Sequence, residues 1–166
     1  MKQLVLLLCL TASLAVRAQL TARDAFKQMP DSVLPLLSAS SRLDMLDYFD
    51  AKMKAEVRNE LDGRSQLLNM GGDSLLLQLD ESHRVTLIVT ETVLPVDSAT
   101  QVIALCHTYC LSSGEDDRVV QFFTSRWKPL SECPPLSVAA AARLPKSGST
   151  LLRRDEQVLK AKPVEF

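Results

Sequence analysis

Val85-Thr86-Leu87-Ile88-Val89-Thr90-Glu91-Thr92-Val93 is followed closely by Gln101-Val102-Ile103-Ala104-Leu105-Cys106-His107-Thr108-Tyr109-Cys110-Leu111. Both stretches have a period of two. In the first, Val85, Leu87, Val89 and Val93 alternate with Thr86, Ile88, Thr90 and Thr92. Such a β-branched alternation is the signature of a strand. In the second, Val102, Ala104, Cys106, Thr108 and Cys110 face one way, and Ile103, Leu105, His107, Tyr109 and Leu111 the other. Upstream, residues 65–70 and 74–80 flank Gly71-Gly72-Asp73, a hairpin signal. Downstream, the polar loop 112–117 leads into a further strand, Arg118 to Trp127. Five strands in succession with short links predict an antiparallel meander.

Before Gly63 the period is helical. Thr21 followed by Asp24 resembles a capping box and opens a short helix through Phe26 that Pro30 ends. Ser41 and Asp44 then cap a main helix expected over about residues 42–61. Its stripe is Leu43, Leu46, Phe49, Met53, Val57 and Leu61, which predicts Phe49 and Met53 as core residues. Asp50 and Lys54 stand at i,i+4, in the favourable acid-before-base order. Asp62-Gly63 is the expected stop. Beyond Cys133-Pro134-Pro135, residues 138–143 read as a helical turn, and 151–161 as either a hairpin or one amphipathic helix, the hairpin being favoured. The fold class expected is α+β, with N-terminal helices packed on one antiparallel meander sheet of about five or six strands.

The first 18 residues read as a secretory signal peptide. Lys2 supplies the charge, Leu4 to Leu14 the apolar run, and Val16-Arg17-Ala18 the small residues before a cut between Ala18 and Gln19. Residues 19–166 then form a single domain that works in the periplasm or outside the cell. No other apolar run approaches the roughly 20 residues of a membrane-crossing helix. Loss of Lys2 and Arg17 takes the 19 basic residues to 17 against 20 acids, a net of −3. That is no footprint for nucleic acid. Of the mature cysteines Cys106, Cys110 and Cys133, the first two share a strand and stand about 13 Å apart. A disulfide needs Cα atoms within about 7 Å, so they do not bond to each other.

Several segments, in their order, carry a resemblance. They are Met29-Pro30-Asp31-Ser32 with Leu34-Pro35-Leu36-Leu37, Arg42-Leu43-Asp44-Met45, Met53-Lys54-Ala55-Glu56-Val57, Pro95-Val96-Asp97-Ser98, Gln121-Phe122-Phe123 and Trp127-Lys128-Pro129-Leu130. Spanning about residues 25–130, they resemble a family of secreted proteins of unknown function from Bacteroides-type Gram-negative bacteria. The resemblance implies fold and compartment, and carries no activity.

No catalytic motif is present: no His-Glu-x-x-His, no Cys-x-x-Cys, no Gly-x-Ser-x-Gly and no phosphate-cradling glycine pattern among five glycines. Asp44, Asp47 and Asp50 read as a solvated face, and loop 112–117 lacks the ligand spacing of an EF-hand. His83 reads as exposed in a turn. His107 points away from Cys106, which breaks the obvious Cys–His dyad. Tyr109, Phe122 and Trp127, with His107, are the speculative binding residues, because an exposed aromatic patch on a sheet is a common interaction surface. The reading expects no catalytic residue, metal or cofactor. It favours an exported envelope protein that binds an envelope protein or a small ligand. A small exported hydrolase using His107 as general base is the alternative.

Overall fold

The computed structural model describes residues 19–110 and 116–144. Helix α1 spans Ala22–Gln28 and α2 Ala39–Asp50; the strands are β1 (Glu56–Arg58), β2 (Arg64–Met70), β3 (Ser74–Gln78), β4 (His83–Val96), β5 (Ala99–Cys110), β6 (Asp116–Thr124) and β7 (Pro129–Leu130); α3 is Val138–Arg143. The strands form one sheet in the order β1 to β7, with every neighbouring pair antiparallel. The meander is therefore as read, but with seven strands rather than five or six. The additions are the two short edge strands, β1 and β7. The hairpin expected at 151–161 lies outside the described residues.

Helix α1 begins as the sequence predicts. Thr21 is the N-cap: its hydroxyl accepts from the Asp24 amide at 3.1 Å and donates to the Asp24 carboxylate at 2.6 Å. Helix α2 does not follow its expected course. Its N-cap is Ser38, and it stops at Asp50 rather than running to residue 61. The end is a Schellman arrangement: Met53 N–H donates to Tyr48 C=O at 2.9 Å, and Lys52 N–H to Phe49 C=O at 3.0 Å. Lys52 takes the left-handed position, φ 55°, where glycine is usual. The chain is then free to turn into β1.

The buried face of α2 is Arg42, Met45 and Leu46, with Phe49 half-buried. That is a regular helical stripe with a charged residue at its head. The expected stripe is corrected on both flanks: Leu43 is 41% exposed, Met53 62% and Leu61 79%. Arg42, 1% exposed, donates to Leu37 C=O at 2.6 Å, to Met29 C=O and to the Asp31 carboxylate at 2.9 Å. It gathers the connector between the helices onto α2. The expected Asp50–Lys54 pair also does not form: Asp50 takes both guanidinium nitrogens of Arg23, and Lys54 pairs with Glu56.

Period-two alternation gives the sheet two different faces. On one, Leu75, Leu77, Val85, Leu87, Val89, Ile103, Leu105 and Phe123 pack with Phe26, Met45 and Leu46 of the helices. Helix α1 bears on β3 and β4, and α2 on β1 and β2. On the other, Ile88, Ala104 and Phe122 form a smaller cluster with Val120, Leu130, Leu136 and Leu144. Burying a leucine side chain of this kind stabilises by roughly 1.5–3 kcal/mol. The helix-facing layer, with the larger cluster, is therefore the main source of stability.

Candidate functional site

The register of β4 on β5 places His83 opposite Tyr109 and Val85 opposite His107. By alternation, His107 and Tyr109 continue the face that carries Ile103 and Leu105. At this end of the sheet the packed aliphatic layer gives way to three rings. His83 Nε2 and His107 Nδ1 lie 2.9 Å apart, one donating to the other. The His83 ring stacks on Tyr109 with centroids 4.3 Å apart and planes 21° apart. Both histidines are half-buried and Tyr109 is 37% exposed, so the cluster keeps contact with solvent.

Burial disfavours the charged form of each imidazole. It pushes His107 down to about 4, with the neighbouring His83 adding to the effect. His83 is also lowered by burial, against an upward pull from Asp80. At neutral pH the pair is thus uncharged and shares one hydrogen bond.

Of the four residues singled out from sequence, the structure brings two together. His107 and Tyr109 stand in the ring cluster. Trp127 is 6% exposed, its indole N–H donating to Ala25 C=O in α1 at 3.0 Å, and it packs on Phe123 at 5.2 Å. Phe122, 5% exposed, belongs to the smaller cluster on the opposite face. The condition that made Trp127 a surface candidate, its exposure, is not met: it clasps the β6–β7 turn to α1. His83, read as an exposed turn residue, is the member that sequence reasoning missed. The signal would have been the β4–β5 register, which a shift between Glu91 and Val96 conceals.

The hydroxyl of Ser82, next in sequence to His83, donates to the Asp80 carboxylate at 2.9 Å. Cys106 is fully buried, and burial pushes its thiol upward. Its sulfur meets the side chain of Thr108 and the backbone carbonyl of His107, the latter at 4.0 Å. Cys106 and Cys110 lie in one strand, and all three described cysteines are free. Among the described residues no group of three His, Cys, Asp or Glu side chains could hold a metal ion, and no helix is long and apolar enough to cross a membrane. Asp44 and Asp47 are exposed. Most of loop 112–117 lies outside the described residues, with Asp116 and Asp117 opening β6.

Two open hollows, of 670 and 550 Å³, flank the segment Gln19–Leu20 beside Glu91 and Gln101. The Gln101 amide is committed there to the backbone of Leu20, accepting from its N–H at 2.8 Å. Neither hollow is lined by a histidine or a cysteine.

Comparison with solved structures finds a domain of an uncharacterized protein from Porphyromonas gingivalis, similar at TM-score 0.52 and 24% identity over 65% of this chain. The match covers 52% of that chain, so the likeness spans about half of the neighbour's length and shows the fold. No curated protein matches. The family described as "Protein of unknown function (DUF3256)" matches residues 13–147. With the match covering most of the sequence, the chain belongs to the DUF3256 family.

Proposed function

We propose that this is an exported envelope protein that acts by binding, through the open end of the sheet formed by His83, His107 and Tyr109. The observation that carries the reading is the stack itself. Tyr109, 37% exposed, is held flat against His83, which is in turn held by His107. A rigid, partly exposed ring loses little conformational freedom when a ligand covers it, which is why tyrosine recurs at binding hot spots. Export rests on the leader pattern of residues 1–18. The expected partner is an envelope protein or a small ligand, with no cofactor.

The hydrolase alternative has less support. A general base needs its proton donor within about 3.2 Å, directly or through one water. The side-chain partner of His107 is His83, not a Ser, Cys or carboxylate. A base held down to about 4 is also a weak one. Incubation of the protein with ester and peptide libraries separates the two readings. The binding reading predicts no turnover; turnover that vanishes with His107→Ala, in a variant folded by circular dichroism, overturns it.

A further inference from the structure

We propose that the His83–His107 pair is an acid-released latch for Tyr109: one proton leaves the ring surface assembled, and a second takes it apart. The inference rests on reading this end of the sheet as the binding face, and gives that face a regulation. His83 Nε2 and His107 Nδ1 share one hydrogen bond at 2.9 Å across two neighbouring strands, and Tyr109 is stacked on the His83 ring. Whichever ring donates, it keeps a bare nitrogen on its outer side. The first proton goes there. The bond then joins an imidazolium to a neutral imidazole, and charge assistance strengthens it. The second proton has only the accepting nitrogen of that bond left to take. Two N–H groups on two like charges then point at each other, and the rings must part.

The surroundings favour the first step and delay the second. Asp80, in the turn before β4, pulls His83 up. On β6, the register sets Asp117 opposite Tyr109 and apolar Val119 opposite His107. On β3, Leu77 stands opposite Val85. Arg58 and Asp62, where β1 turns into β2, pair with each other. Arg84 and Arg118 both stand opposite Thr108, on the other face of the sheet. The side-chain partner of His107 is His83, and burial holds His107 down to about 4, so the second proton arrives well below neutral pH. The ladder holds both backbones in place. What gives is the side chain of His83, at the first position of β4. As it swings away, Tyr109 loses the ring that backs it, and a ligand covering Tyr109 is released.

The test is NMR of the isotopically labelled full chain, from neutral pH down past the value of His107. It follows the imidazole nitrogens, the ring contact between His83 and Tyr109, and the amides of Leu87 and Ile103 as a report on the fold. The expected result is two separate protonations of the pair. The ring contact survives the first and is lost at the second, while the Leu87 and Ile103 amides keep their folded shifts. Loss of the contact at the first protonation, its survival with both rings charged, or global unfolding before the second step each overturns the latch. None of these results depends on a variant folding. His107→Gln keeps a neutral hydrogen-bonding group beside His83 and removes one of the two charges, so its ring contact should persist through the whole range; loss at the wild-type pH overturns the latch as well. Capture from an envelope extract keeps the latch apart from the binding reading. Equal capture by wild type and Tyr109→Ala at neutral pH overturns the binding reading, but not the two-step opening of the rings. Capture through Tyr109 that is as strong after the second protonation as at neutral pH overturns the latch alone.

Discussion

The two ends of the β4–β5 ladder share one register and one face, yet they carry different chemistry. At one end Leu87 pairs with Leu105 and Val89 with Ile103, all at 3% exposure or less beneath the helices. At the other, His83 pairs with Tyr109, next to His107, and solvent reaches the rings. Side chains at the covered end are committed to holding layers together. Those at the open end are held by one another and remain available. The difference teaches that an aromatic residue is assigned to a role by what covers it. Trp127, the largest ring of the chain, is structural because α1 lies over it.

The comparison breaks most visibly at the covered end. Trp127→Ala should cost about 3–5 kcal/mol in chemical denaturation, because it empties the contact between the β6–β7 turn and α1. Trp127→Phe should recover most of that loss, short of about 1 kcal/mol for the bond to Ala25. Arg42→Ala should cost about 3 kcal/mol, as charge-assisted bonds to two carbonyls and the Asp31 carboxylate are lost together. A loss under 1 kcal/mol at either residue would mean that the layer is not clasped as described.

The open end should show itself through pH. The unfolded chain takes up a proton near the ordinary histidine value of 6.5, while folded His107 resists protonation down to about 4. The unfolded state therefore binds more protons in this window, and stability falls as pH is lowered from about 6.5 to 4. The pair should account for a loss on the order of 2 kcal/mol after allowance for its contact with solvent. His107→Gln should remove most of that slope; an unchanged slope would place the titrating group elsewhere. At the small end, Met53→Ala should cost under about 1 kcal/mol, since Met53 is 62% exposed. A loss matching that of a core methionine would revive the longer helix.

Much of this architecture was legible in the chain, for specific reasons. β4 and β5 announce themselves by alternation over a dozen residues, and Thr21 with Asp24 announces α1. The end of α2 is not legible because its left-handed cap is Lys52 rather than glycine. The apolar stripe ran on through Val57, which hid a three-residue strand inside an imagined helix. The true stripe of α2 does not show in the sequence because it begins with Arg42, a charge buried by carbonyl partners that only folding supplies. The site was half legible. His107 and Tyr109 share a strand face by counting. Extending the Val96–Ala99 pairing of the β4–β5 turn without interruption would set His83 opposite Ser112. The shift between Glu91 and Val96 moves it to Tyr109.

The most direct test of the division between the two ends is capture from an envelope extract by three proteins: wild type, Tyr109→Ala and Met53→Ala. Both substitutions remove an exposed side chain, so both variants should unfold within about 1 kcal/mol of the wild type. The account predicts that Met53→Ala recovers the same saturable ligand as the wild type and Tyr109→Ala does not. Equal recovery by the two variants, with Tyr109→Ala folded, would contradict it.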